Sequence, residues 1–221
     1  MVNVLLLCDD VWHPVEVIKR GLEDVQDKEF HFDIVCTAKD ILTPEFISQY
    51  PVIMNCKGNS ISAANREPWF EDGVTEVGID EFADYVKAGG GFLSVHAGNT
   101  AQRTSPNNIK YIDFVGNCFV KHPPRCEVKY TVEKEHPITE GVADFALRDE
   151  HYELAELADD IDIFLKSTSE KGGTQVAGYT RELGKGKICV LTPGHTLWVW
   201  QNENFRKLLF NAIRWAMRKE G

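Results

Sequence analysis

Gly89-Gly90-Gly91-Phe92-Leu93-Ser94-Val95-His96-Ala97-Gly98 is the stretch that decides the fold. The glycines let the chain turn sharply after a helix, and an apolar run of strand length follows at once. A histidine then stands on a turn of small residues. Upstream, Ile79, Phe82, Tyr85 and Val86 recur at helical spacing, the stripe of a helix that packs on a core.

The same alternation runs through the first half of the chain. Val4-Leu5-Leu6-Leu7 is a continuous apolar run, as a strand covered on both faces requires. Pro14, favoured at a first helical position, and the apolar series Val15, Ile18, Leu22 and Val25 predict a helix. His31 to Thr37 reads as a second strand, Thr43-Pro44 opens a short helix, and Val52-Ile53-Met54 forms a third strand. Strand and helix in alternation predict an α/β fold: a mostly parallel sheet with helices on both faces. In such sheets ligands collect at the carboxyl ends of the strands.

Downstream, Ser105-Pro106 caps a helix through Ile109, Ile112 and Val115, and Arg125 to Val132 alternates like an antiparallel extension. Gly184-Lys185-Gly186-Lys187 reads as a hairpin turn into the strand Ile188-Cys189-Val190-Leu191. The last helix offers Phe205, Leu208, Leu209, Ala212, Ile213 and Ala216 as one apolar face. No repeat, linker or low-complexity segment interrupts the chain, so residues 1–221 are expected to form one domain.

Composition narrows the function. The chain has 221 residues, 43% hydrophobic and 26% charged, with a formal net charge of -10. That charge repels phosphate backbones and anionic lipid, which argues against nucleic acid and membrane partners. No apolar run approaches the ~20 residues of a membrane span. The apolar N-terminus lacks a basic flank and meets Asp9-Asp10 early, so it reads as a strand instead of a signal peptide. The six cysteines are scattered, with no C-x-x-C pair, and read as reduced thiols of a cytoplasmic protein.

His96 and His195, the latter in Thr192-Pro193-Gly194-His195, both follow buried strands and a glycine or small-residue turn. Two imidazoles at strand ends of one sheet can share a metal, a proton or a substrate hydroxyl. His13, near the start of the first helix and beside Asp9-Asp10, is a third candidate or simply a helix cap. Asp149-Glu150-His151-Tyr152 is the densest polar cluster of the second half, either a set of ligands and acid/base groups or a solvated face. No H-x-x-x-H pair is present, so a metal such as zinc would have to be assembled from separate segments. Cys8 and Cys56 read as core filler. Trp12, Trp69, Trp198 and Trp200 are aromatic faces for a sugar or parts of the core; Trp198 is the one assigned to the site. Lys57-Gly58-Asn59 and the glycine triplet lack the spacing of phosphate loops.

Several segments together resemble ThuA-like (trehalose-utilisation) proteins. These are Gly89 to Gly98, Glu135-His136-Pro137-Ile138-Thr139-Glu140-Gly141, Asp149 to Tyr152, Gly184 to His195, and Asn211-Ala212-Ile213-Arg214-Trp215-Ala216. The resemblance implies a flavodoxin-like fold related to class I glutamine amidotransferases. In those enzymes a cysteine nucleophile occupies the turn that here carries His96, so glutaminase chemistry is not expected. It further implies a carbohydrate as the small-molecule partner, with His96, Glu150, Tyr152 and His195 carried over as site residues and His13 matching more loosely. Asn99 stands where some relatives have a further histidine and is assigned to substrate, as are His13, Tyr152 and Trp198. His96, His195 and Glu150 are the catalytic set and the candidate ligands of a divalent ion. The implied activity is sugar hydrolysis, isomerisation or epimerisation. The alternatives are a non-catalytic sugar-binding or regulatory module, and a thiol hydrolase using Cys8 or Cys56. A homo-oligomer is compatible with the sequence.

Overall fold

A computed structural model describes residues 1–25, 28–39 and 41–217. The first strand, β1 (Val2–Leu7), shows why a continuous apolar run marks the centre of such a sheet. Successive side chains point to opposite faces, so Val4 and Leu6 enter one hydrophobic core and Leu5 and Leu7 the other. Both faces are dry, and every one of the four is at most 1% exposed.

The chain continues through α1 (Val15–Leu22), β2 (Phe30–Val35), α2 (Pro44–Ser48), β3 (Val52–Asn55), α3 (Ile79–Lys87) and β4 (Gly91–Val95). After a short turn of helix over His96–Asn99 come α4 (Pro106–Val115), β5 (Cys118–Lys121), β6 (Cys126–Val132), β7 (Phe145–Asp149) and β8 (Glu153–Ala155). The last elements are β9 (Asp162–Ser169), β10 (Gly173–Leu183), β11 (Gly186–Leu191), α5 (Leu197–Gln201) and α6 (Glu203–Ala216). One core holds Ile18 of α1 with Trp200 of α5 and Leu208 of α6; the other holds Ile47 of α2, Phe82 of α3 and Tyr111 of α4. Helices therefore cover both faces, as expected.

Nine strands form one sheet in the order β2-β1-β3-β4-β11-β10-β9-β6-β7, and β5 pairs with β8 separately. From β2 to β11 the pairings are parallel. From β11 to β7 they are antiparallel. The sheet is thus mixed, and the expectation of a mostly parallel one is corrected. The antiparallel strands carry Lys, Glu and Thr on a partly exposed face (burial in β6 and β9 alternates), so their sequence has no long apolar run to announce them.

Local signals hold in detail. Ser105 Oγ accepts the Asn108 N–H at 3.1 Å, capping α4. All six residues of the apolar face of the last helix are buried. Pro14 is the N-cap residue of α1 instead of its first helical residue, and the helix ends at Leu22, short of Val25. That leaves His13 outside the helix, free to point over the carboxyl ends of the parallel strands. Among the described residues no helix is long and apolar enough to cross a membrane.

Candidate metal centre

His96 leaves β4 with φ +44, the left-handed conformation of a tight strand-to-helix turn. Two glycines permit the approach of neighbouring loops. A Cβ on Gly98 would stand 2.4 Å from the Asn55 carbonyl oxygen, and one on Gly194 (φ +150) would stand 2.7 Å from His96 Cβ. The β4 and β11 turns therefore meet ring to ring.

The His96 ring is fixed by its Nδ1–H, which donates to the Thr192 carbonyl at 2.8 Å. Its Nε2 lone pair then faces inward, 3.4 Å from His195 Nδ1 and 3.4 Å from Glu150 Oε2. Burial pushes the His96 pKa down, which keeps the imidazole neutral. His195 Nδ1 lies 3.1 Å from the same Glu150 oxygen. Glu150 follows β7, so the carboxylate comes from the antiparallel half and the imidazoles from the parallel half. Its own burial disfavours charge, yet the imidazoles of His13, His195 and His96 crowded round it outweigh that and hold the carboxyl well below the usual range.

His13 completes the group. Asp10, just beyond β1, accepts the backbone N–H groups of Trp12 and His13 and, through Oδ1, the His13 Nδ1–H at 2.8 Å. Its other oxygen accepts Gly58 N–H at 2.8 Å, locking the arrangement to the β3 loop. His13 Nε2 therefore points at Glu150, 3.9 Å away, and is buried without a hydrogen-bond partner.

One ligand atom from each of His13, His96, Glu150 and His195 lies within 4.8 Å of all the others. Ligand atoms bound to one ion at 2.0–2.1 Å stand roughly 3–4 Å apart, the range of the contacts above. The donor set fits a zinc-like ion: three imidazole nitrogens, one carboxylate oxygen, and a carboxylate–histidine support from Asp10 behind His13. The orphaned Nε2 of His13 is the atom such an ion would satisfy.

Tyr152 forms the wall beside this group. Its ring stacks on His96 at 4.4 Å and its hydroxyl donates to His96 Nε2 at 3.1 Å. Burial, reinforced by the negative charge of Glu150, raises its pKa well above the ordinary value, so it remains a phenol and a donor. A cleft of about 590 Å³ opens over Glu150, Tyr152 and His195, with Trp12 at its mouth.

Five of the seven expected site residues thus converge: His13, His96, Glu150, Tyr152 and His195. Two do not. Asn99 is 1% exposed, and its amide is spent on the Ser94 and Leu191 carbonyls and the Ser94 hydroxyl, so it ties β4 to β11 beneath the turn and faces no cleft. Trp198 is 65% exposed on α5 and does not line the cleft; Trp69 and Trp200 are core. His151, neighbour of Glu150, turns the other way, its nitrogens 2.6 and 2.9 Å from the hydroxyls of Ser169 and Ser167. Cys8 and Cys56 are buried, and their thiol pKa values are pushed up, by a Cys36 contact and burial at Cys8 and by burial at Cys56. Sequence reasoning missed Asp10 and His122. Asp10 could have been found by the strand-end rule that flagged His96. His122, whose Nε2 lies 3.7 Å from Glu150, has no local signal.

The electrostatics predict a pH dependence for chelator-treated protein. Burial lowers the His13 pKa, but the bonds to Asp10 and Glu150 prevail and raise it from 6.5 to about 9. A raised pKa contributes stability that is complete below the unfolded value and lost as pH climbs through the folded one. Melting temperature should therefore fall between about pH 6 and pH 10, by the equivalent of about 3 kcal/mol. A flat or rising curve over that window would contradict the His13 assignment.

A mixed α/β sheet whose central strand-end turn carries a histidine, set in a cluster of imidazoles and one carboxylate, defines an α/β protein with its site at the carboxyl ends of the parallel strands. The chain belongs to the ThuA family, trehalose utilisation, whose profile matches residues 9–216. Among solved structures it is similar to a ThuA-like protein of Bacteroides uniformis, with 20% identity and a TM-score of 0.71 over 97% of this chain and 90% of that one. A ThuA-like protein of Parabacteroides merdae gives 18% identity and a TM-score of 0.73 over 100% and 92%. A cytoplasmic protein of Salmonella typhimurium gives 13% identity and 0.69 over 99% and 100%. At these identities the likeness is one of fold. No curated protein matches the chain at a significant level.

Proposed function

We propose that this protein is a carbohydrate-acting enzyme, a hydrolase or an isomerase/epimerase of trehalose-like disaccharides or their keto forms. Its working centre is His13, His96, His195 and Glu150 around a divalent ion such as zinc. The observation that carries the reading is the buried, partnerless Nε2 of His13, oriented by Asp10 toward three other ligand atoms. Membership in a trehalose-utilisation family supports the sugar.

When bound, such an ion polarises a sugar carbonyl or hydroxyl and acidifies a water. The protein's own groups do the rest. Tyr152 donates its phenolic proton in a hydrogen bond to a sugar oxygen beside His96. Glu150, held as a carboxylate with Oε2 among the imidazoles, has its second oxygen left to accept a proton from a hydroxyl or water in the cleft. Trp12, 71% exposed at the mouth, offers a face for a sugar ring. Glutaminase chemistry is excluded from this reading because the elbow carries no thiol and Cys8 and Cys56 are held as thiols in the core. We place the protein in the cytoplasm; its six free thiols and the cytoplasmic Salmonella protein of like fold support that placement.

Elemental analysis of purified protein tests the centre. Stoichiometric zinc, manganese or nickel is expected, and His195→Ala should lose it. Protein that stays metal-free after dialysis against each ion sinks the reading. A mass spectrum of keto-disaccharides before and after incubation separates turnover from mere binding; a sugar recovered unchanged, yet stabilising the fold, would leave only a binding module.

A further inference from the structure

We infer that the cleft takes a sugar bearing an anionic group, a carboxylate or a phosphate, and that Arg125 holds that group. The inference rests on the reading of the cleft as a sugar site and adds the class of sugar.

Arg125 precedes β6, whose register pairs Cys126 with Asp149 and Glu127 with Arg148. One rung further along this antiparallel ladder, Arg125 stands opposite Glu150. Its guanidinium nevertheless does not bind Glu150, whose Oε2 is surrounded by four histidines. Among the described residues it makes no ion pair, and it is exposed. Arg103, Arg181, Arg206 and Arg214 are each engaged by a carboxylate, and Arg20, Arg66 and Arg148, which among the described residues are not, lie away from the cleft. Arg125 is the one Arg or Lys among the residues that line the cleft.

The segment before it is stiff. Pro123 and Pro124 fix their own backbone angles, and His122 closes the turn with Nδ1–H donating to the Pro123 carbonyl at 2.9 Å. A permanent cation with a free fork of donors is thus held at the side of the cleft next to the candidate metal centre. A neutral sugar gains little from it. A carboxylate or phosphate can accept two parallel N–H bonds from it, the stronger and more directional pairing. The formal charge of -10 sharpens the point. An anionic sugar is repelled by the average surface and needs a local positive group, while the cleft's own carboxylates, Asp10 and Glu150, are already turned toward histidines.

Titration calorimetry with glucose, trehalose, glucuronate and glucose 6-phosphate tests this on the whole protein. At least one charged sugar should bind about tenfold or more tightly than the neutral ones, with an advantage that shrinks as salt rises. Arg125→Gln should erase that advantage, and Arg125→Lys should keep part of it because charge remains without the fork. Preference for glucuronate identifies a carboxylate ligand, preference for glucose 6-phosphate a phosphate, and equal gains a site for charge of either shape. Neutral sugars that bind as well as charged ones overturn the inference and leave the sugar site standing. An advantage that survives Arg125→Gln overturns it too, since the charge is then held elsewhere. If none of the four binds, this inference is overturned, and the sugar reading stands or falls on the keto-disaccharide assay.

Discussion

Replacing His96 with glutamine is expected to slow turnover of a keto-disaccharide by about 10²–10⁴-fold and to strip the purified protein of its ion. The size follows from where the ring stands. Its Nε2 is the common neighbour of His195, Glu150 and Tyr152, all within 3.4 Å. Glutamine keeps polarity at that position but presents no imidazole lone pair to an ion and no ring for Tyr152 to stack upon. The fold should survive, because β4 is anchored by pairing with β3 and β11 and not by the turn that follows it. Circular dichroism matching wild type, with metal content and turnover both lost, is the expected combination. Equal rates in variant and wild type would remove His96 from the chemistry.

The second large effect lies one residue from the centre. Asp149 is 0% exposed and collects three donors: the Tyr130 hydroxyl at 2.9 Å and the backbone N–H groups of Gly194 and His195 at 3.0 Å each. It pins the loop carrying His195 to the end of β7, where Glu150 emerges. Asp149→Ala leaves those donors buried and unanswered, at a cost of about 3–5 kcal/mol. Chemical denaturation should show that loss, and metal affinity should fall with it because His195 is no longer held against Glu150. Asp149→Asn, which retains an acceptor oxygen, should recover part of both. A stability unchanged in Asp149→Ala would mean that the loop is held by other contacts.

The parallel half of the fold was legible because its strands are covered on both faces. Val4 to Leu7 and Phe92 to Val95 have no choice but to be apolar throughout. The antiparallel half was read only as an extension, since β6, β9 and β10 share their positions with Lys, Glu and Thr and the pairing order has no local imprint. The site divides the same way. His96 and His195 follow from strand ends, a rule that needs no partner. Glu150 came from resemblance, because a run of polar residues does not say which of them turns inward: Asp149 and His151 are buried in structural bonds and Glu150 faces the imidazoles. Asn99 misled because a polar residue on an active turn can equally be the hydrogen-bonding underside of that turn. Asp10 stands just past the end of β1 and could be read by the same rule, whereas nothing in the neighbourhood of His122 announces its encounter with Glu150.

The order of strands has one more consequence, for the nascent chain. In the nine-stranded sheet the two halves are joined by β11 alone, which hydrogen-bonds β4 on one side and β10 on the other. This keystone is the final strand in chain order, and His195 follows it by four residues. On the ribosome, the earlier strands can assemble only as separate leaves with raw edges facing each other. Closure of the sheet and completion of the ligand set become one late event, so an intermediate that has stalled before residue 186 is both sticky and catalytically blank.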